Sequence, residues 1–273
     1  MSQPAKVLII DDSAVARQTL KNILSEDPEL EVVGTAPDAL IALKKISELN
    51  PDVLTLDVQM PKMDGLTFLE RLMKSRPMPV VMVSSYTQEG SETALRSLEL
   101  GALDIIEKPK FEVREGLNEI AILITDKVKA AAQAKMKTAR QIFLQTSPKQ
   151  STDAVLPKTT GKRKTTGQEP LIAIGASTGG TEVLREILSS LPPTMPGIVI
   201  VQHMPKAFTG SFASSLDRVS ELEIKEAEDG DMVESGKALL APGDAHMILK
   251  TNGSSYQVKL DEGELVNRHR PAV

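Results

Sequence analysis

Five polar side chains stand where short aliphatic runs end: Asp11 and Asp12 after KVLII, Asp57 at the close of DVLTLD, Ser84 after PVVMV and Lys108 after ALDIIE. Runs rich in Val, Ile and Leu, separated by helix-period stretches, predict parallel strands buried on both faces. The carboxyl ends of such strands are where open α/β sheets collect their chemistry. Three carboxylates gathered there repel one another, and a hard divalent cation such as Mg²⁺ relieves the repulsion while neutralising a phosphoryl oxygen beside the remaining carboxylate. On this reading Asp57 is a carboxylate nucleophile able to accept a phosphoryl group, and Asp12 and Asp11 hold the metal. Lys108 offers a point charge and Ser84 a hydroxyl to the phosphoryl oxygens. Any one of these acids could merely cap a helix N-terminus, where negative charge is favoured. Capping does not account for all five together with a lysine before a proline.

A second constellation lies in the other half of the chain. Gly175-Ala176-Ser177-Thr178-Gly179-Gly180 joins a predicted strand to a predicted helix and satisfies the G-x-S-x-G pattern of a nucleophile elbow. Small residues let the backbone turn sharply enough to project the serine Oγ and let N–H groups approach a developing oxyanion. The same pattern could cradle a phosphate at a helix N-terminus, and the motif leaves both open. His203 favours the first, because it follows the next apolar run, GIVIVQ, and a parallel neighbour would deliver it to the same sheet edge as Ser177. An imidazole is the group able to take a serine proton near neutral pH, although a structural, helix-capping histidine is the plainer alternative. His246 and His269 are expected to be structural or to line the substrate side.

The elements that must position these groups follow from periodicity. From Lys6 to about Lys127 strand-like and helix-like segments alternate, with Ser13 as cap of AVARQTLKNIL and Asn50-Pro51 as the stop of ALIALKKISEL. The expectation is an α/β domain over residues 1–127 with a doubly wound five-stranded sheet. Residues 128–169 turn to Lys, Gln, Thr, Ser and Pro and read as linker, its Lys162-Arg163-Lys164 cluster being a solvated tether in preference to an anion site. Alternation resumes at LIAIGAS, so residues 170–273 form a second α/β domain, mostly parallel, with a turn at Asn252-Gly253. The length of 273 residues suits two cores, and the absence of cysteine excludes disulfides, thiolate zinc sites and cysteine nucleophiles. A net charge of −5 and few aromatics argue against a nucleic-acid surface. No apolar run reaches membrane-span length, so a cytoplasmic protein is expected.

Asp11-Asp12, Asp57 followed by Met60-Pro61 and Met63-Asp64-Gly65, Val83-Ser84-Ser85 and Lys108-Pro109 resemble the receiver domain of bacterial response regulators, a flavodoxin-like fold. The resemblance implies an aspartyl phosphate on Asp57, Mg²⁺ held by Asp12, Asp57 and the Gln59 carbonyl, and a histidine kinase as phosphodonor. Ile105 stands where many receivers carry an aromatic switch residue. GASTGGTE, VQHMPKAFTGSFASSLDR, ALLAPGDAHMIL and NRHRPAV resemble the catalytic domain of the chemotaxis protein-glutamate methylesterase family, CheB. That likeness implies hydrolysis of glutamate methyl esters on chemoreceptor helices and deamidation of receptor glutamines. Ser177 would be the nucleophile, His203 the base, the Thr178 N–H an oxyanion donor, and no metal is expected in that site. It also implies a receiver that covers the active-site face until Asp57 is phosphorylated. In the family the orienting aspartate follows the segment matching NRHRPAV, so the second domain is expected to be incomplete at Val273. Asp229, Asp231, Asp244 and Asp261 match no family position. If the chain is whole, loss of that aspartate costs about 10⁴ in kcat, the second domain should be poorly ordered, and a catalytically dead, partner-binding response regulator becomes the alternative.

Overall fold

The computed structural model describes residues 3–84, 88–108, 117–134, 169–267 and 269–272. Ser85, Pro109 and the Lys162-Arg163-Lys164 cluster lie outside them, as does most of the expected linker.

Five parallel strands, β1 (Ala5–Ile10), β2 (Leu30–Ala36), β3 (Val53–Asp57), β4 (Val80–Ser84) and β5 (Asp104–Glu107), form one sheet in the order β2-β1-β3-β4-β5. The helices between them are α1 (Ala14–Ser25), α2 (Ala39–Leu49), α3 (Gly65–Ser75), α4 (Gln88–Glu99) and α5 (Leu117–Gln133). Strand residues alternate between two apolar layers, which is why the runs are apolar throughout. Val7 and Ile9 pack with Leu20, Leu24, Ile124 and Val128 of α1 and α5. Leu8 and Ile10 face the opposite layer, with Ala42, Ile46, Phe68 and Leu69 of α2 and α3.

Local chemistry sets the helix ends. Ser13 Oγ accepts the Ala16 N–H at 3.3 Å, and Asp38 and Asp64 cap α2 and α3 in the same way. At the stop of α2, Asn50 adopts a left-handed conformation with φ 45° and returns its N–H to the Ile46 carbonyl.

The second half builds two sheets. β6 (Leu171–Ala176), β7 (Gly197–Gln202), β10 (Lys237–Leu240) and β8 (Glu223–Glu226) are parallel in that spatial order, with α6 (Gly180–Leu188) and α7 (Lys206–Asp217) among the connections. β11 (His246–Asn252) and β12 (Ser255–Asp261) form a hairpin that leaves this sheet and pairs antiparallel with the short β9 (Met232–Val233). Asn252 pairs with Ser255, so the turn residues are Gly253-Ser254, one place beyond the expected Asn252-Gly253. Gly253 supplies the positive φ of 64°. The two halves also share apolar surface. Leu95 and Leu98 of α4 lie in one buried cluster with Leu184 of α6 and Phe212 and Leu216 of α7.

Candidate active site and acidic pocket

The sheet order places β1, β3, β4 and β5 side by side, so their carboxyl ends meet. Asp11, Asp57 and Ser84 are buried there, Asp12 is exposed, and Lys108 reaches in from just beyond β5. Lys108 Nζ donates to Asp57 Oδ2 at 2.8 Å and lies 3.0 Å from Asp11 Oδ2. The remaining oxygens are partly used by the backbone: Asp11 Oδ1 accepts the Ser13 N–H at 2.8 Å, and Asp57 Oδ1 accepts the Gln59 N–H at 3.2 Å. Gly65 makes the close approach of α3 possible, since a Cβ there would fall 2.1 Å from the Asp57 carbonyl oxygen.

Burial pushes the Asp57 carboxyl up to about 6; the Lys108 hydrogen bond opposes this and the Asp11 charge adds to it. For Lys108 burial works downward, but its contacts with Asp57 and Asp11 outweigh it and hold the ammonium above its ordinary value. One oxygen each from Asp11, Asp12 and Asp57 lie within 4.8 Å of one another. Asp11 Oδ2 is buried, and its close partner is the Lys108 ammonium at 3.0 Å. An all-oxygen, three-carboxylate set whose charge a single lysine does not balance fits a hard divalent cation.

In the second half, β6 and β7 are parallel neighbours in register from Leu171↔Gly197 to Ala176↔Gln202. Ser177 and His203 therefore leave the same edge together, and the His203 N–H donates to the Ala176 carbonyl at 3.2 Å. Ser177 Oγ stands 3.2 Å from His203 Nδ1. The elbow is tight: Gly179 has φ 78°, and a Cβ on Gly180 would meet Gln202 Oε1 at 2.6 Å and Ala176 Cβ at 2.7 Å. Gln202 Nε2 fastens the turn by donating to the Ser177 carbonyl at 3.1 Å. His203 Nε2 is buried and unpartnered among the described residues. Asp229, Asp231 and Asp261 are engaged elsewhere, with the Leu260 N–H, with Lys225 and the Glu228 N–H, and with the Gly263 N–H.

The first half reaches directly into this site. Thr178 Oγ1 donates to Asp104 Oδ2 at 2.7 Å, and the Gly179 N–H donates to the Leu103 carbonyl at 3.0 Å. Lys127 of α5 donates to Asp104 Oδ1 at 2.5 Å, to the Ile105 carbonyl at 3.0 Å and to the His203 carbonyl at 3.2 Å. Asp104 and Lys127 are 6% and 4% exposed, so this is a buried ion pair completed by both halves of the chain. At the rim, Arg185 of α6 pairs with Glu99 of α4 at 2.7 Å. Burial pulls the His203 imidazole down to about 4, assisted by His269 and by the Lys127 charge and opposed by Asp104.

Residues 172–273 match the family described as CheB methylesterase, and residues 7–121 match the response regulator receiver domain. The protein-glutamate methylesterase/protein-glutamine glutaminase 2 of Oleidesulfovibrio alaskensis is 49% identical over 273 residues, covering 100% of this chain and 77% of that one. The corresponding protein 1 of Geobacter metallireducens is 50% identical over 272 residues, covering 100% of this chain and 74% of its own length. That of Thiobacillus denitrificans is 51% identical over 268 residues, with 98% and 74% covered. The chain belongs to the protein-glutamate methylesterase/protein-glutamine glutaminase family. Its halves are a response-regulator receiver domain and a CheB-type methylesterase domain, the pairing of a chemotaxis adaptation hydrolase. Among the described residues no helix is long and apolar enough to cross a membrane.

Four groups around Ser177 and His203 carried no sequence signal that singled them out. Asp104 reads as the first residue of a strand and Lys127 as one of several lysines on a helix; the Thr178 side chain and the position of His269 depend on the packed structure. His269 stacks on His203, with ring centroids 3.9 Å apart and planes 10° apart. His246 is structural: its ring bonds the Glu264 carbonyl at 2.9 Å and the Ala272 N–H at 3.4 Å.

Proposed function

We propose that this protein hydrolyses γ-methyl esters of glutamate on chemoreceptor helices, and deamidates receptor glutamines, with Ser177 as nucleophile and His203 as base. The observation that carries the reading is the 3.2 Å contact between Ser177 Oγ and His203 Nδ1 at the ends of adjacent parallel strands. Ser177 Oγ attacks the ester carbonyl carbon while His203 takes its proton. The Thr178 N–H donates to the oxyanion. Collapse expels the methoxy group with the proton that His203 returns, giving methanol. Water activated by the same imidazole then cleaves the acyl-serine, leaving the glutamate carboxyl and restoring Ser177. With glutamine as substrate the leaving group is ammonia. Burial keeps His203 neutral at physiological pH, which leaves a ring nitrogen free to accept the proton and makes the ring a weaker base than a free imidazole.

The receiver controls access. Leu103, Asp104 and Lys127 occupy the backbone and side-chain groups that flank Ser177 and His203, so a receptor helix reaches the serine only after β5 and α5 withdraw. A histidine kinase is the phosphodonor and Asp57 the acceptor. A divalent cation held by Asp11, Asp12 and Asp57 neutralises charge on the phosphoryl group when bound. Lys108 and Ser84 turn to the new oxygens. Lys108 and Asp104 lie at opposite ends of the short β5, and the Lys108 N–H bonds the Ser84 carbonyl at 2.8 Å, so a pull on Lys108 acts on the strand that holds Thr178.

Methanol release from methylated receptor membranes tests both parts. Ser177→Ala should lower the rate by about 10⁴-fold or more. A small phosphodonor should raise the wild-type rate by up to about 10²-fold, the ratio that separates a 1% open population from a fully open one. Asp57→Asn should abolish that stimulation. Stimulation that survives Asp57→Asn removes Asp57 from the mechanism. Release that survives Ser177→Ala removes the serine.

A further inference from the structure

We propose that His269 is a positioning residue for the base: its imidazole is a platform that fixes the ring plane of His203 and keeps water from one of its faces. This rests on the reading of Ser177 and His203 as nucleophile and base.

The torsion that turns an imidazole about its Cβ–Cγ bond is soft and broad, so His203 needs restraint if Nδ1 is to point steadily at Ser177. Its backbone is held from two sides, by the N–H bond to Ala176 and by the Lys127 ammonium at its carbonyl. Neither contact restrains the ring. On the ring itself, Nδ1 meets Ser177, and a single hydrogen bond of this kind does not fix the tilt of the ring plane. The parallel ring of His269 at 3.9 Å restrains that tilt, because tilting either ring breaks the stack.

The segment that carries His269 is built to hold it there. Val266 and His269 exchange reciprocal backbone hydrogen bonds at 3.1 and 3.0 Å. Arg270 Nη1 donates to the Glu262 and Gly263 carbonyls, each at 2.7 Å, and the Arg270 carbonyl accepts the Asp244 N–H at 3.1 Å. His246 closes the far side by bonding the Glu264 carbonyl and the Ala272 N–H. These polar contacts hold the segment that places His269 against His203.

Like charges at stacking distance repel, so a charge on His269 opposes transfer of the Ser177 proton to His203. The charged groups that face His203 are His269 from the loop, Lys127 from α5 and Asp104 from β5.

The test is the rate at which a small fluorophosphonate phosphonylates Ser177 in the full chain, from about pH 4 to about 8, with ring-proton NMR titration of the three histidines. Ser177 Oγ attacks phosphorus, fluoride leaves, and the serine proton passes through His203 to solvent. His269→Phe keeps a flat face and removes the titrating group. His269→Ala removes both. The plateau rate of His269→Phe should stay within about threefold of wild type, and that of His269→Ala should fall by about tenfold, the upper range of a ring stack. The acid limb and the His203 titration should move to higher pH in His269→Phe and further in His269→Ala, where water reaches the exposed face. Wild-type plateau and His203 midpoint in His269→Ala would overturn the proposal, and so would a His269→Phe plateau as low as that of His269→Ala. His203→Ala is the separate control: undiminished labelling there sinks the Ser–His reading itself, while the His203 midpoint in His269→Phe still reports on the stack.

Discussion

The acidic pocket and the Ser–His site both lie at the carboxyl ends of parallel strands, yet they are finished in opposite ways. Asp11, Asp57 and Lys108 come from one domain and satisfy one another across 2.8 and 3.0 Å, so the receiver carries its own charge balance. Ser177 and His203 come from one domain as well, but their surroundings are completed by the other, through Leu103, Asp104 and Lys127. A self-contained pocket can respond to a phosphoryl group wherever the second domain sits. A site finished by a neighbour changes its solvation and its access when that neighbour moves. The difference is why we propose sensing for the first and control for the second.

Asp104→Ala breaks this comparison most severely. It leaves the Lys127 ammonium buried without its carboxylate, a loss of about 3–5 kcal/mol that falls on the closed arrangement. Unstimulated methanol release should rise to the phosphodonor-stimulated level, with faster hydrogen exchange at the Gly179 amide. A basal rate equal to wild type would mean that the buried pair does not hold the domains together.

The pocket's own charge balance is sharpened by pH. A carboxyl raised from 3.8 to about 6 in the folded state keeps a proton that the unfolded chain has released, so its contribution to stability is present below the lower value and lost as pH rises through the higher one. In chelator, the receiver transition in urea should therefore gain about 3 kcal/mol between neutral pH and pH ~4 from this group. Asp57→Asn should flatten that gain, and Mg²⁺ should stabilise more at neutral pH than in acid, where the carboxyl is protonated. A slope unchanged by Asp57→Asn would assign the gain to other groups.

The smallest effect is expected at the rim. Arg185 and Glu99 are 24% and 46% exposed at the side chain, and such pairs contribute about 0–1 kcal/mol. Arg185→Ala should raise the unstimulated rate by less than about fivefold, far below Asp104→Ala. Equal effects would show that the interface is held by its edge.

Much of both sites was legible in the chain. Apolar runs that end in Asp, Ser or Lys announced strand ends, and doubly wound sheets gather those ends, so Asp11, Asp57, Ser84 and Lys108 could be grouped before their distances were known. His203 was legible for a related reason: one helix separates it from Ser177, and a βαβ crossover makes such strands parallel neighbours. The hairpin of β11 and β12 was legible as strands but not as a separate sheet, because alternation fixes which face is buried and says nothing about which edge a hairpin joins.

Local order, then, belongs to the sequence: the helix caps at Ser13, Asp38 and Asp64, the period of each element, and the residues delivered to each strand end. Only tertiary structure decided that Asp104 and Lys127 would be buried against Thr178 and His203, and that His269 would lie flat on His203. Periodicity records what a residue does to its neighbours three or four places away. Coulomb and stacking interactions depend on distance in space, and here they join residues 66 to 76 places apart in the chain.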